Sequence, residues 1–418
     1  QMNKTMAHIL TAIIPISSIR RAVRFRLKYG VDMKTERVRN GMTTANLWHN
    51  MEFELFQNFL KLERINNQFS MNDWLQKETK PLYYLSSDKR NSYINLLFNV
   101  PEIYHKVSSE IEKNYNHPFF LCWEIRPNDN NLQILKLSQR YGKPLFFVGD
   151  GFLRSIETYA NKYAQEKYMR GISFTFDDLT SYYDASRPSR LELMLNDTNL
   201  IVSDEQKKRA KYCIAKIVDN YLTKYNSQPI FEPTIGRAGV RKVLVVDQAY
   251  GDMSIAKGWG DDSTFDIMLE KAIKENPDAD IIVKTHPDTM TGRKSGYYTK
   301  IKQKGNIYIQ LAPINPISLI KYVDEVYVCS SQLGFEALMC GKDVHVFGMP
   351  FYAGWGLTID EQKCTRRTNK RSLEEVFYIA YIMYSYYVNP DKGCRCEIEE
   401  AMDYLLTLRQ AYLQKCTK

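Results

Sequence analysis

The stretch from Val326 to Asp360, VYVCSSQLGFEALMCGKDVHVFGMPFYAGWGLTID, constrains the fold more than any other part of the chain. The apolar run Val326 to Cys329 is too short for a helix and reads as a buried strand, followed by a turn of two small residues, Ser330 and Ser331. A helix opens near Gly334, and a second apolar strand runs from Val344 to Phe347. A strand, a tight turn and a helix N-terminus bring N–H groups and the positive end of a helix dipole to one spot, which suits an anion. Glu336, one turn inside the helix, is placed to accept hydrogen bonds from a ribose. To this point an ordinary βαβ unit with a capped helix would read the same way. The loop PFYAGWGLTID tips the balance, because glycines interleaved with aromatics suggest close approach of backbone to a ligand. The expected nucleotide pocket draws on Ser330, Ser331, Gly334, Glu336, Tyr352, Gly354, Trp355 and Gly356.

The same texture recurs upstream. PFFLCWE reads as a strand, Leu132 to Tyr141 as a helix and Pro144 to Val148 as the next strand, which ends in Gly149, Asp150, Gly151, Phe152, Leu153 and Arg154. After a stretch rich in prolines and glycines (Ser227 to Val240) comes Lys242 to Val246, an apolar run typical of a central parallel strand. It ends in Asp247, Gln248, Ala249, Tyr250, Gly251, Asp252, Met253 and Ser254. The helix Phe265 to Asn276 leads to the strand Asp280 to Lys284, closed by Thr285, His286 and Pro287. Ligands of open α/β sheets bind beyond the carboxyl ends of strands, where Asp150, Arg154, Asp252, Lys284 and His286 all fall. A turn aspartate or a structural histidine would read the same at each position taken singly. Two helices rich in Tyr and Leu are expected after Arg366.

Together these patterns predict two doubly wound α/β domains facing a central cleft. The boundaries are a basic N-terminal segment (1–40), a first α/β domain (41–228), a linker (229–240), a second α/β domain (241–365) and C-terminal helices (366–418). With 418 residues, 44% of them hydrophobic, the chain can bury two cores, and its net charge of +9 points to acidic partners. Eight cysteines without a C-x-x-C pair indicate neither a zinc site nor a disulfide framework, so a cytoplasmic setting and no metal are expected. No Walker loop and no G-x-G-x-x-G follows a strand, which argues against ATPases and dehydrogenases. Residues 8–29 alternate apolar side chains with Arg20, Arg21, Arg24, Arg26 and Lys28. Such a helix would lie on an anionic leaflet at the inner face of the membrane, or pack on its own domain with a solvated basic face.

Several stretches in this order, DGFLRS (150–155), YYDASRPSRLE (182–192), TKYN (223–226), QAYGDMSI (248–255), KTHPD (284–288) and the SSQLGFEAL…PFYAGWGLTID block, resemble the retaining β-Kdo glycosyltransferases of bacterial capsule polysaccharide and O-antigen synthesis. The resemblance covers roughly residues 120 to 360. It implies a GT-B-like fold, CMP-Kdo as donor substrate, a glycan or lipid-linked glycan as acceptor, and no separate cofactor. It implies Asp252 as nucleophile and His286 as a contact to phosphate or sugar carboxylate. Substrate contacts are expected from Arg154, Gln248, Ser254, Lys284 and Asp184. The chain departs from the family pattern at Gly149, where a glutamate is expected. The acid/base role then falls to Asp150 or to Glu124 at the neighbouring strand end, with Asp150 preferred. Two other readings stand beside this one: a transferase for CMP-sialic acid or a UDP-sugar, and a non-catalytic protein binding anionic glycan or nucleic acid. The absence of a nucleic-acid module sets nucleic acid aside as a partner.

Overall fold

The computed structural model describes residues 82–84, 92–98, 119–125, 129–158, 161, 164–285 and 295–416. The chain divides into two compact units, Gln1–Phe69 with Ile125–Gly142, and Ser70–Glu124 with Lys143–Lys418. Within the first unit lies the helix Asp129–Tyr141, longer at its start than the expected Leu132 to Tyr141. The N-terminal segment 1–40, with its basic stretch 8–29, lies outside the described residues, as does the region 41–81.

Two six-stranded sheets belong to the second unit. One is wholly parallel and is built from β5 (Lys242–Val246), β6 (Asp280–Lys284), β7 (Ile307–Gln310), β8 (Glu325–Val328), β9 (Asp343–Val346) and β10 (Ile359–Asp360). Every residue of β5 and β6 is buried. That explains why they are continuous Val/Ile/Leu runs rather than alternating ones, since helices cover both faces of a parallel sheet. The strand order β7-β6-β5-β8-β9-β10 is that of a dinucleotide fold, and the order in which strands are added reverses between β5 and β8. The site should therefore sit beyond Val246 and Val328.

The other sheet runs β1 (Leu82–Tyr84), β2 (Phe120–Trp123), β3 (Leu145–Asp150), β4 (Ser173–Asp177), β11 (Ser385–Asn389) and β12 (Cys394–Cys396). The first three strands are parallel, as the βαβ pattern predicts, but β4 and β12 run against their neighbours. Two C-terminal helices are therefore not all that follows Arg366. The chain makes the helix Leu373–Phe377 and a π-helical turn, Tyr378–Met383, then adds the hairpin β11–β12 to the first sheet before the last helix, Ile398–Cys416. Tyr384, just ahead of β11, donates to Asp177 at 2.8 Å.

No compact-unit boundary falls at 229–240. The physical reason is a dry aromatic block between the sheets. Phe152 stacks on Tyr381 (4.5 Å) and touches Phe351 (4.9 Å), while Phe335 packs on Tyr381 (5.5 Å) and Phe351 (5.2 Å). Rings from the first sheet, the second sheet and the C-terminal segment thus share one core, and such rings dominate packing energy. The join is reinforced by buried Glu192, which accepts from Arg366 (2.7 Å) and Arg367 (3.0 Å).

Candidate active site

At the switch point, β5 and β8 hand over to a short hydrogen-bonded chain. The Ser330 N–H donates to Gln248 Oε1 at 2.9 Å, and Gln248 Nε2 donates to Ser330 Oγ at 3.2 Å. Ser330 Oγ in turn lies 3.5 Å from Ser254 Oγ. Ser254 lies in the first turn of the helix Met253–Lys257, whose N-cap is Asp252, and Asp252 Oδ1 accepts from the Ser254 N–H at 3.0 Å. The cap fixes one carboxylate oxygen and leaves Oδ2 without a partner among the described residues. Three glycines permit this close packing. A Cβ on Gly258 would lie 2.5 Å from the Ser254 carbonyl, one on Gly260 would lie 2.5 Å from Cys329 Sγ, and one on Gly348 would lie 2.6 Å from the Gly258 carbonyl.

The facing wall comes from the first sheet. Burial raises the pKa of the Tyr182 hydroxyl; Lys224 opposes the shift, and Glu124, Asp150 and Asp252 add to it. Tyr182 thus marks a spot within electrostatic reach of carboxylates from both sheets. Burial works against the charge of Lys224, yet its neighbours Tyr182, Tyr225, Asp150 and Glu124 raise its pKa, so its ammonium stays charged. Lys224 and Tyr182 lie in the TKYN and YYDASRPSRLE stretches but carry no sequence signal of their own. Nothing in their local pattern says that these loops converge.

Asp252, Gln248, Ser254, Ser330 and Ser331 meet at the switch point as the sequence suggests. Lys284 and Glu336 lie beneath it, both buried. Burial lowers Lys284 to about 8, against the pull of Glu336 and Asp247, and raises Glu336 to about 7, against the pull of Lys284. Asp247 is likewise pushed up to about 6 by burial, and its Oδ2 is buried without a partner among the described residues. Glu336 also accepts the Lys224 backbone N–H and a 3.4 Å bond from Gln332, so it ties the two sheets together. His286 lies outside the described residues.

Other expectations are corrected. Arg154 is 1% exposed. Its fork serves the protein itself, pairing with Asp150 (2.8 Å) and donating to the Met169 carbonyl (2.6 Å) and Ser155 Oγ (2.9 Å), rather than reaching a substrate. Asp184 is 2% exposed and collects Thr180, Ser186 and Lys257, which makes it a clasp on the helix Met253–Lys257. The glycine-and-aromatic loop faces inward. Tyr352 and Trp355 are buried, Tyr352 donating to the Ser331 carbonyl (2.5 Å) and Trp355 to the Phe351 carbonyl (2.7 Å). Gly334 is glycine because a Cβ would strike the Tyr352 ring, and a Cβ on Gly354 would press on Arg367. Gly354 and Gly356 are left-handed (φ +85° and +86°), which glycine alone adopts readily. The loop braces the serine turn from behind, with its rings turned into the protein. Some of the turn's amides are engaged within the protein: Leu333 N donates to Ser331 Oγ (3.2 Å) and Gly334 N to the Ser331 carbonyl (3.1 Å).

The family of capsule polysaccharide biosynthesis proteins matches residues 133–395. The capsule polysaccharide modification protein LipA of Neisseria meningitidis is 38% identical over 297 residues, 69% of this chain and 41% of LipA, so the chain spans about two fifths of that relative. Two solved structures from Thermosulfurimonas dismutans KpsC each align over 79% of this chain and 99% of their own. One, described as a beta Kdo 2,4 transferase, is 32% identical with a TM-score of 0.70. The other, a beta Kdo 2,7 transferase, is 25% identical with a TM-score of 0.56. With its GT-B-like pair of sheets and this match over most of its length, the chain belongs to the capsule polysaccharide biosynthesis protein family.

Proposed function

We propose that this chain is a retaining glycosyltransferase that moves Kdo from CMP-Kdo to a glycan acceptor during bacterial surface-polysaccharide synthesis. The observation that carries the proposal is Asp252. It is an N-cap carboxylate at the switch point of a parallel sheet, held at one oxygen, with carboxylates of a second sheet within electrostatic reach of the same tyrosine. The likeness to two β-Kdo transferase structures supports the choice of sugar. In the first displacement Asp252 Oδ2 bonds to the anomeric carbon, and the bond to the CMP phosphate oxygen breaks with its electron pair leaving on phosphate. In the second, an acceptor hydroxyl replaces Asp252, so two inversions give net retention.

Thermal shift with CMP, UDP and GDP tests the donor. CMP at 100 times its Kd should stabilise the protein by about 2.7 kcal/mol, and stabilisation by UDP alone would redirect the assignment to another sugar nucleotide. Contact of residues 8–29 with the cytoplasmic leaflet belongs to the same proposal. Flotation with anionic liposomes should be lost on deleting residues 2–30, and flotation unchanged by the deletion would remove it.

A further inference from the structure

The tips of β2 and β3 invert the usual match of residue to backbone. Glu124 has φ +52°, the left-handed region that favours glycine, yet it carries a long charged side chain. Beside it, joined by the Glu124 N–H to Val148 carbonyl bond at 2.7 Å, is Gly149, whose backbone does not call for glycine. A Cβ on Gly149 would lie 3.3 Å from Thr175 Oγ1 and 3.9 Å from Glu124 Cγ, so the glutamate and the threonine side chains flank the glycine. Strained conformations of this kind persist where the surroundings over-determine them, and they cluster at active sites. Glu124 is partly exposed, and its charge acts with that of Asp150 on Tyr182 and Lys224, while Asp252 acts on the same Tyr182 hydroxyl. Asp150, the other acid at this edge, has one oxygen paired to buried Arg154 and the other buried.

We propose that Glu124 is the general base of the second displacement. This inference rests on the transferase reading above. CMP departs as a phosphate anion and needs no proton, whereas an acceptor alcohol must lose one as it attacks. The acceptor O–H bond breaks and its proton passes to the Glu124 carboxylate. The freed oxygen bonds to the anomeric carbon, and the bond from that carbon to Asp252 breaks with its electron pair returning to the aspartate.

The test uses the full chain and CMP-Kdo, with water and then azide as nucleophile, because azide needs no deprotonation. Glu124→Gln should release about one CMP per protein, hold a Kdo adduct seen by intact mass, and lose that adduct about 10²- to 10⁴-fold more slowly than the parent protein. Added azide should restore turnover in the variant and yield a Kdo azide. An adduct that decays at the parent rate, or a variant that forms none while the parent does, overturns the assignment of Glu124. Parent protein that releases no CMP from CMP-Kdo overturns the transferase reading and this inference with it.

Discussion

The two sheets differ in how they are assembled. The parallel sheet is built from one continuous run of chain, β5 to β10, each strand delivered by the preceding helix or loop. The first sheet is composite: its last two strands come from residues 385–396, more than two hundred positions after β4. Asp252 thus stands on a locally encoded element, whereas the wall carrying Glu124, Tyr182 and Lys224 is completed by distant sequence. Chemistry that needs both walls depends on the contacts that join them. Three changes separate contributions to the joint from contributions to the reaction.

The largest effect is expected at the joint. Arg367 is buried, pairs with Glu192 and donates to the carbonyls of Pro350 (2.5 Å) and Ala353 (2.7 Å). Arg367→Ala leaves a buried carboxylate with one partner fewer and frees the brace behind Ser331. Chemical denaturation should show a loss of about 3–5 kcal/mol. A loss below about 1 kcal/mol would mean that the aromatic block alone holds the sheets together.

A smaller effect of opposite sign is expected beneath the switch point. Burial raises the Glu336 carboxyl to about 7, so the folded state holds a proton that the unfolded chain releases near its ordinary carboxyl range. Stability therefore falls as pH rises from about 4.5 to 7. Lys284, lowered to about 8 by burial, makes stability rise again between about 8 and 10.5. Glu336→Gln should stabilise the protein by about 1–2 kcal/mol at pH 8 and by little at pH 5, in melts across that range. A pH-independent difference would remove the buried charge as its cause.

The smallest effect is at Glu124. Glu124→Gly relieves the left-handed strain and should gain up to about 1 kcal/mol while losing turnover. A variant that is less stable and fully active would make Glu124 structural. The pair Glu124→Gly with Gly149→Glu, which exchanges the two side chains across the β2–β3 edge, should recover turnover lost by Glu124→Gly alone.

The same contrast explains what the sequence could reveal. The strand Asp280–Lys284 falls where its apolar run predicts, and β5 and β8 are legible as buried runs because parallel strands leave no polar face. The switch-point residues follow from that order. The hairpin β11–β12 was hidden because SYYVN and CRC are short and sit next to helical patterns, and their pairing with β4 is a long-range choice. Arg154 and Asp184 look like substrate ligands in sequence because burial and internal pairing leave no local mark. In sequence the glycine-and-aromatic loop looks like a ligand contact for a similar reason. Glycines admit the close approach of a protein side chain as readily as that of a nucleotide, and here Tyr352 and Arg367 fill the space. The inversion at Glu124 and Gly149 needs φ angles, which composition does not supply.

On the proposed reaction Asp252 carries the sugar between donor and acceptor. Intact-mass measurement of the parent protein and of Asp252→Ala after incubation with CMP-Kdo tests it most directly. A Kdo-sized increment in the parent and none in the variant, with both folded by circular dichroism, is the predicted result. An increment that persists in Asp252→Ala, or unchanged turnover by that variant, would exclude Asp252 as the nucleophile.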